Sequence, residues 1–377
     1  MLDLHSGDCF GKIAVVGMAG REGEKVMNQR SPLLRVPGGL RVLSIVLITL
    51  AAAKATAQEK NNNAYVVNVS TVSVIDTKTN VVTATIAPAI EGPADLVGAA
   101  VTPDGTRVYL TNAGFGAANT VLVLDATANT IADTITVGKG PIFDAITPDG
   151  RKVYVVNSTD NTTSVIDTST NTVVATIPVG QFPLAVTVSP DGKRAYVANT
   201  FSDDVSVIDV ASDTVVTTVP VVKFPIAAIV SPDSERVYVA NFSLDNVLSI
   251  IDAATNTVQG EISVGPLPDG LALTPNGRKL YCANNFDGTV SVVDTVTNHV
   301  TATLAVGSNP ITAAIMQNGQ RVYVANLGSN DVSVIDVSSD TVATSITGAQ
   351  RPTTVAIQPK VVPASPSLLW PFAADAR

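Results

Sequence analysis

Few side chains in this sequence could do chemistry. Past residue 57 there is one histidine, His299, and one cysteine, Cys282. Neither a Ser-His-Asp nor a Cys-His arrangement can be assembled around that histidine, which is placed in a turn. There is no Cys-x-x-Cys-His haem motif, no phosphate-cradling glycine loop and no histidine-rich metal motif. Carboxylates, amides and aromatic rings remain. Asp95, Asp144 and Asp269 are candidate oxygen ligands for a hard cation such as calcium. Lys139, Lys223 and Arg351 are candidate counter-charges for a ligand. Seven phenylalanines, Phe115, Phe143, Phe182, Phe201, Phe224, Phe242 and Phe286, offer rings for stacking.

The elements that position these residues are legible in the stretch Phe182 to Val219. Four apolar runs lie in it: Leu184–Val188, Arg194–Ala198, Val205–Asp209 and Val215–Val219. Each is of strand length and rich in β-branched residues. Pro190-Asp191-Gly192 parts the first two, and Asp-Gly supplies the positive φ of a tight hairpin. The stretch therefore reads as a four-stranded antiparallel meander, with strands A to D.

Copies of the meander fill the chain. Tyr-x-x-Asn in strand B recurs at Tyr65, Tyr109, Tyr154, Tyr196, Tyr238, Tyr281 and Tyr323, which uses all seven tyrosines. The aspartate closing strand C recurs at Asp76, Asp125, Asp167, Asp209, Asp252, Asp294 and Asp336. An Asn or Asp follows four residues after each. Seven-fold recurrence argues for an architectural turn, because a catalytic carboxylate is needed once. The tyrosine spacing settles at about 42, the length of one propeller blade. No strand A precedes Tyr65, and a lone extra one, Pro352–Ile357, follows the last strand D. The simplest closure puts this strand into the blade begun by the N-terminal B, C and D. The fold expected is all-β: a seven-bladed β-propeller of four-stranded antiparallel blades, over residues 64–359.

Tyr-Val-x-Asn, Val-Ile-Asp-x-x-Thr-Asn and Pro-Asp-Gly at this period resemble the YVTN-type repeat of YncE-like seven-bladed propellers. Ser234 in place of the turn glycine, Gln317 in place of the turn proline and Cys282 after Tyr281 depart from the pattern in single blades. The resemblance implies a fold. Propellers host unrelated activities, so it leaves function open. Lactonase-type propellers hold a divalent cation at the channel mouth, which would give Asp95, Asp144 and Asp269 that role here. Their blades are not all adjacent, which favours solvated loop charges instead. The YncE likeness also raises single-strand DNA binding, for which phenylalanine stacking would suit.

Residues 1–57 read as an N-terminal extension and signal peptide. Arg41 precedes an apolar run, Val42–Ala53, and Ala55-Thr56-Ala57 forms a small-x-small cleavage site before Gln58. About 12 apolar residues are too few to span a bilayer. Met27 would make a better start than Met1, and the mature chain is expected in the periplasm or outside the cell, without a membrane anchor, as a monomer. Removal of residues 1–57 takes seven of 23 Lys+Arg and four of 32 Asp+Glu, moving the net charge from −9 to −12. That acidity disfavours nucleic acid. Cys282, mid-strand, reads as a small buried hydrophobe. The tail 360–377 breaks the period, and its prolines exclude regular structure.

The A–B and C–D turns repeat closely and should share one face. The D–A and B–C loops vary and should share the other. Every phenylalanine named above falls in or beside these variable loops. They either plug the tops of blade interfaces or rim a funnel for a ligand. A binding or scaffold module acting through this face is the function expected, its partner a small molecule, glycan or protein and no cofactor required. A lactonase-like hydrolase is the alternative.

Overall fold

The computed structural model describes residues 63–90, 94–114 and 118–359. Among them are 28 strands in seven four-stranded antiparallel sheets. Blade 2 runs from β4 (Leu96–Val101) to β7 (Thr130–Thr136), and blade 3 from β8 (Pro141–Ile146) to β11 (Thr172–Pro178). Blade 4 spans β12 (Pro183–Val188) to β15 (Thr214–Pro220). Blade 5 spans β16 (Pro225–Val230) to β19 (Thr257–Ser263). Blade 6 spans β20 (Pro268–Leu273) to β23 (His299–Ala305), and blade 7 spans β24 (Pro310–Ile315) to β27 (Thr341–Thr347).

Blade 1 is built from both ends of the chain. Its order is β28 (Pro352–Ile357), β1 (Asn63–Asn68), β2 (Thr71–Asp76) and β3 (Val81–Ile86). β28 pairs antiparallel with β1, Val355 opposite Val66, so the inferred latch is present. The seven A strands, β4, β8, β12, β16, β20, β24 and β28, touch their neighbours in a closed ring around a central channel. Closure gives β1 an inner partner, so blade 1 has four strands like the other six.

Strands B and C carry the core. Their residues are buried on both faces, while strand D shows one face to solvent. Each tyrosine is buried between its own blade and the next. Tyr65 packs on Leu96, Val108 and Leu122 of blade 2, and Tyr323 of blade 7 packs on Val66 and Val355 of blade 1, closing the ring. Burial of each ring contributes on the order of 1.5–3 kcal/mol by area. The tyrosine hydroxyl also crosses the interface: Tyr109 donates to Asn171 Oδ1 (2.9 Å) and Tyr323 to Asn80 Oδ1 (2.9 Å).

That contact explains the repeated turn. Asp76 Oδ1 accepts the N–H groups of Lys78 (2.8 Å) and Thr79 (2.9 Å). Asn80 then turns left-handed (φ 56°), which Asn tolerates. Asp213 and Asp340 replace this Asn in blades 4 and 7. There the preceding blade supplies a lysine: Lys152 Nζ to Asp213 Oδ2 and Lys279 Nζ to Asp340 Oδ2, both 2.7 Å. Arg107, Arg236 and Arg321 instead reach main-chain carbonyls of the next blade. The lysines are thus matched to the two junctions that carry an extra carboxylate.

Candidate functional site

The D–A and B–C loops do share one face, and hydrogen bonds lock them together there. The residue before the strand-A proline is left-handed at Phe182 (52°), Phe224 (56°), Leu267 (52°), Asn309 (49°) and Arg351 (53°). A positive φ is costly for bulky side chains, about 1–3 kcal/mol each. At four of the five, all but Asn309, an Asx side chain 21 residues earlier, in the B–C loop of the preceding blade, holds it. Asn161 Oδ1 accepts Phe182 N–H (2.8 Å), Asp203 accepts Phe224 N–H (2.9 Å), Asn246 accepts Leu267 N–H (3.3 Å) and Asn330 accepts Arg351 N–H (2.8 Å). Sequence reasoning missed this clamp. Its signal was the constant offset of 21 between an Asx and the residue before Pro.

The clamp leaves the aromatic residues of blades 4 to 6 at the surface. Phe201 is 59% exposed, Phe286 76% and Phe224 43%, which is inconsistent with plugs. Phe182 is half-buried and stacks on Phe201, centroids 4.5 Å apart and planes 15° from parallel. Phe242 and Phe143 are half-buried. Leu244, which sequence reasoning also missed, is 88% exposed in the B–C loop of blade 5. Lys139, Lys223 and Arg351 are exposed in the D–A loops. Phe115 lies outside the described residues.

Behind this face runs the channel, with a cavity of about 170 Å³. Its walls include Val186, Ala228, Ile311, Ala313 and Val355, and Phe143, Asp144 and Asp269 also line it. The expectation of solvated loop charges fails for the two acids. Asp144 lies within β8 and Asp269 within β20. Both oxygens of Asp144 are closed to solvent, and neither accepts a hydrogen bond from another residue. Burial pushes its carboxyl well above the usual range. Burial likewise pushes Asp269 up to about 8, partly offset by the Asn285 Nδ2 donor at 3.3 Å. Two glycines make room for these acids and for close strand packing. A Cβ on Gly98 would lie 3.0 Å from Asp144 Oδ1 and 2.5 Å from Ile142 O, and one on Gly270 would lie 2.4 Å from Thr312 Cα.

The third candidate acid, Asp95, precedes β4 in the D–A loop. Its N–H donates to Asn112 Oδ1 (2.9 Å) and its carbonyl accepts from Ala113 N–H (2.9 Å). The three acids come from blades 2, 3 and 6. Among the described residues no three His, Cys, Asp or Glu side chains converge to hold a metal. Larger hollows, of about 640 and 430 Å³, open on the opposite face between successive A–B turns. Their linings repeat from blade to blade, with Pro-Asp-Gly and a basic residue each time, so they follow from the architecture.

Fold and loops together define a seven-bladed repeat propeller with one repetitive and one varied face. The YNCE-like beta-propeller family model matches residues 92–233, and the Lactonase, 7-bladed beta-propeller model matches residues 253–354. The chain is a seven-bladed β-propeller that is YncE-like over the first of these stretches and lactonase-like over the second. Comparison with curated proteins gives no match. Among solved structures it is similar to Kuenenia stuttgartiensis hydrazine synthase (21% identity, TM-score 0.65, 72% of this chain and 93% of that one). It is similar to a functionally unknown protein from Desulfotomaculum acetoxidans (17%, 0.69, 79% and 99%). It is also similar to a Bacteroides fragilis protein provisionally named a 6-phosphogluconolactonase (15%, 0.65, 79% and 98%). At these identities the likeness is one of fold.

Proposed function

We propose that this propeller is a binding module whose varied-loop face takes a ligand with a flat apolar surface, such as a sugar ring. The observation that carries this is the exposure of Phe201, Phe224 and Phe286 on the one face where the seven blades differ. Exposed rings on a rigid scaffold lose little entropy on binding, and stacking adds about 0.5–1.5 kcal/mol per ring pair. The net charge of −9 supports a neutral or cationic ligand over nucleic acid. A second reading, a lactonase-like hydrolase, has the family match over residues 253–354 in its favour. It calls for a tightly held divalent cation near the channel mouth.

Changing Phe201 and Phe286 together to Ala should leave the urea midpoint nearly unchanged, since surface substitutions stay within about 0.5 kcal/mol. Retention on an immobilised oligosaccharide panel should fall at least tenfold. A large loss of stability with retention preserved would make this face structural. Calcium retained through dialysis, together with lactone hydrolysis that a chelator abolishes, would move the conclusion to the second reading.

The binding module is further proposed to work as a monomer in the periplasm or outside the cell, after cleavage behind Ala57. The run from Arg41 to Ala57 supports this, although it lies outside the described residues. Among those, no helix is long and apolar enough to cross a membrane. Mass spectrometry of the exported protein should find Gln58 at its N-terminus. An intact N-terminus in the membrane fraction would refute cleavage.

A further inference from the structure

One acid stands in the ring of residues at the channel mouth. The second residue of every A strand is half-buried there, and in six blades it is Val97, Ile142, Leu184, Ile226, Ile311 or Thr353. The seventh is Asp269, so the fold does not need a carboxyl at this place. Both oxygens of Asp144 are sealed, but those of Asp269 are not. Asp269 lines the cavity, with Oδ2 accepting from Asn285 Nδ2 (3.3 Å) and Oδ1 left without a donor from another residue. The same junction, between blades 6 and 7, departs from the loop clamp. No Asx holds the left-handed Asn309, because Gly288 stands 21 residues before it. The Asn309 side chain joins the acid's chain of bonds instead, its Nδ2 donating to Asn285 Oδ1 (3.3 Å). Two amides and a carboxyl thus run from the exposed Asn309 to the channel wall. Each amide nitrogen gives one hydrogen to the chain and keeps another.

We propose that the blade 6–7 side of the channel mouth is a hydroxyl-binding subsite for the terminal residue of a neutral sugar, with Asp269 meeting one hydroxyl and the Asn309 amide a second. This deepens the binding-face reading and rests on it for the choice of a sugar. Phe286, exposed, follows Asn285 directly, so ring and polar chain share one loop. The cavity of about 170 Å³ has room for roughly five water-sized groups. That admits the leading edge of one sugar and leaves the rest on the rim. Ile226, Ile311 and Ala313 in the wall suit the C–H face of the ring. No Lys or Arg is among the residues lining the cavity, which disfavours a phosphorylated or acidic sugar. A hydroxyl both donates and accepts, so it can pair with Asp269 whether or not the carboxyl is protonated. An ammonium can pair only with the ionised form, and burial that pushes the carboxyl up to about 8 makes that the minor form at pH 7.

The test is calorimetry of the full chain at pH 7 with cellotetraose, mannotetraose and N-acetylchitotetraose as neutral probes. Tetragalacturonate and a glucosamine tetramer serve as the charged ones. At least one neutral probe should bind, and more tightly than either charged one. Asp269→Leu places at this position the residue that blade 4 carries as Leu184, so it should fold, and it should weaken binding about tenfold. Asp269→Asn keeps a donor and an acceptor and should stay within about threefold of the parent. Asn309→Gly suits the left-handed backbone and should weaken binding about fivefold, a second reading should the Leu variant misfold. Binding lost in the Phe201→Ala, Phe286→Ala double variant but kept in both Asp269→Leu and Asn309→Gly would overturn the subsite and leave the binding face standing. Binding kept in the double variant but lost in Asp269→Leu would overturn the binding-face reading and leave the subsite. Tighter binding of a charged probe, an Asp269→Asn variant as weak as Asp269→Leu, or no binding of any neutral probe would each overturn the proposal.

Discussion

Truncation after Gly348 should leave a chain that no longer unfolds cooperatively and that aggregates. The cut removes β28, the inner strand of blade 1 and the last link in the ring of A strands. Without it, β1 loses the partner that pairs Ala64 to Asn68 with Ile357 to Pro352. Thr353 Oγ1, which donates to Val67 O (3.1 Å) and Leu96 O (3.2 Å), no longer joins blade 1 to blade 2. Gln358 Nε2 no longer bonds Gly105 O (2.6 Å). Val355 and Ala356, both buried, leave an apolar slot between blades 7 and 2. Burial at about 25 cal/mol per Å² over a whole inner strand, with its ladder of hydrogen bonds, is comparable to a typical domain stability of about 5–15 kcal/mol. The exposed edge of β1 would also template association between chains. Removing only residues 362–377 keeps all of these contacts and should move the urea midpoint little. Equal tolerance of both truncations, measured by denaturant unfolding and light scattering, would show that β28 is no latch.

Asp269→Asn should stabilise the protein near neutral pH and flatten its stability profile between about pH 4 and 8. The folded-state value of about 8 lies above the ordinary carboxyl value of 3.8. Below pH 4 the carboxyl is protonated whether the chain is folded or not, so its contribution is complete there. Between 4 and 8 the unfolded chain releases a proton that the folded chain retains. Stability therefore falls as pH rises, by up to about 1.4 kcal/mol per pH unit, and levels off above 8. Relaxation around the site reduces this, so a gain of about 2–4 kcal/mol at pH 7 is expected for the Asn variant. Asp144, shifted in the same direction, should behave alike. The turn aspartates work the other way. Main-chain and hydroxyl donors hold Asp76, Asp149 and Asp191 below the usual range, so their contribution is present above pH 4 and lost in acid. The parent chain should thus be most stable near pH 4–5. Urea midpoints from pH 4 to 9 for the parent and both Asn variants measure this. A parent profile that rises from pH 5 to 8 would refute it, as would an Asn variant with the same slope as the parent.

The repeat, the blade count, the latch and the division into a repetitive and a varied face were legible in the residues alone. Tyr65 to Tyr323 at a period of about 42 left one architecture, because each four-stranded unit buries its faces only against its neighbours. The turn role of Asp76 and its six copies was legible too, since an Asx turn is a local interaction between residues two to four apart. The tertiary structure decided the rest, and the reason is distance along the chain. Asn161 clamps Phe182 across 21 residues, and Phe182 meets Phe201 only after two loops converge on one rim. Phe201 and Phe286 could be plugs or a rim until their exposure was known. Asp144 and Asp269 read as solvated loop charges, because a single aspartate near a turn normally is one. Closing seven strands into a ring placed them in an aliphatic channel. Whether a charge is desolvated depends on what surrounds it in space, and strand A by itself carries no record of that.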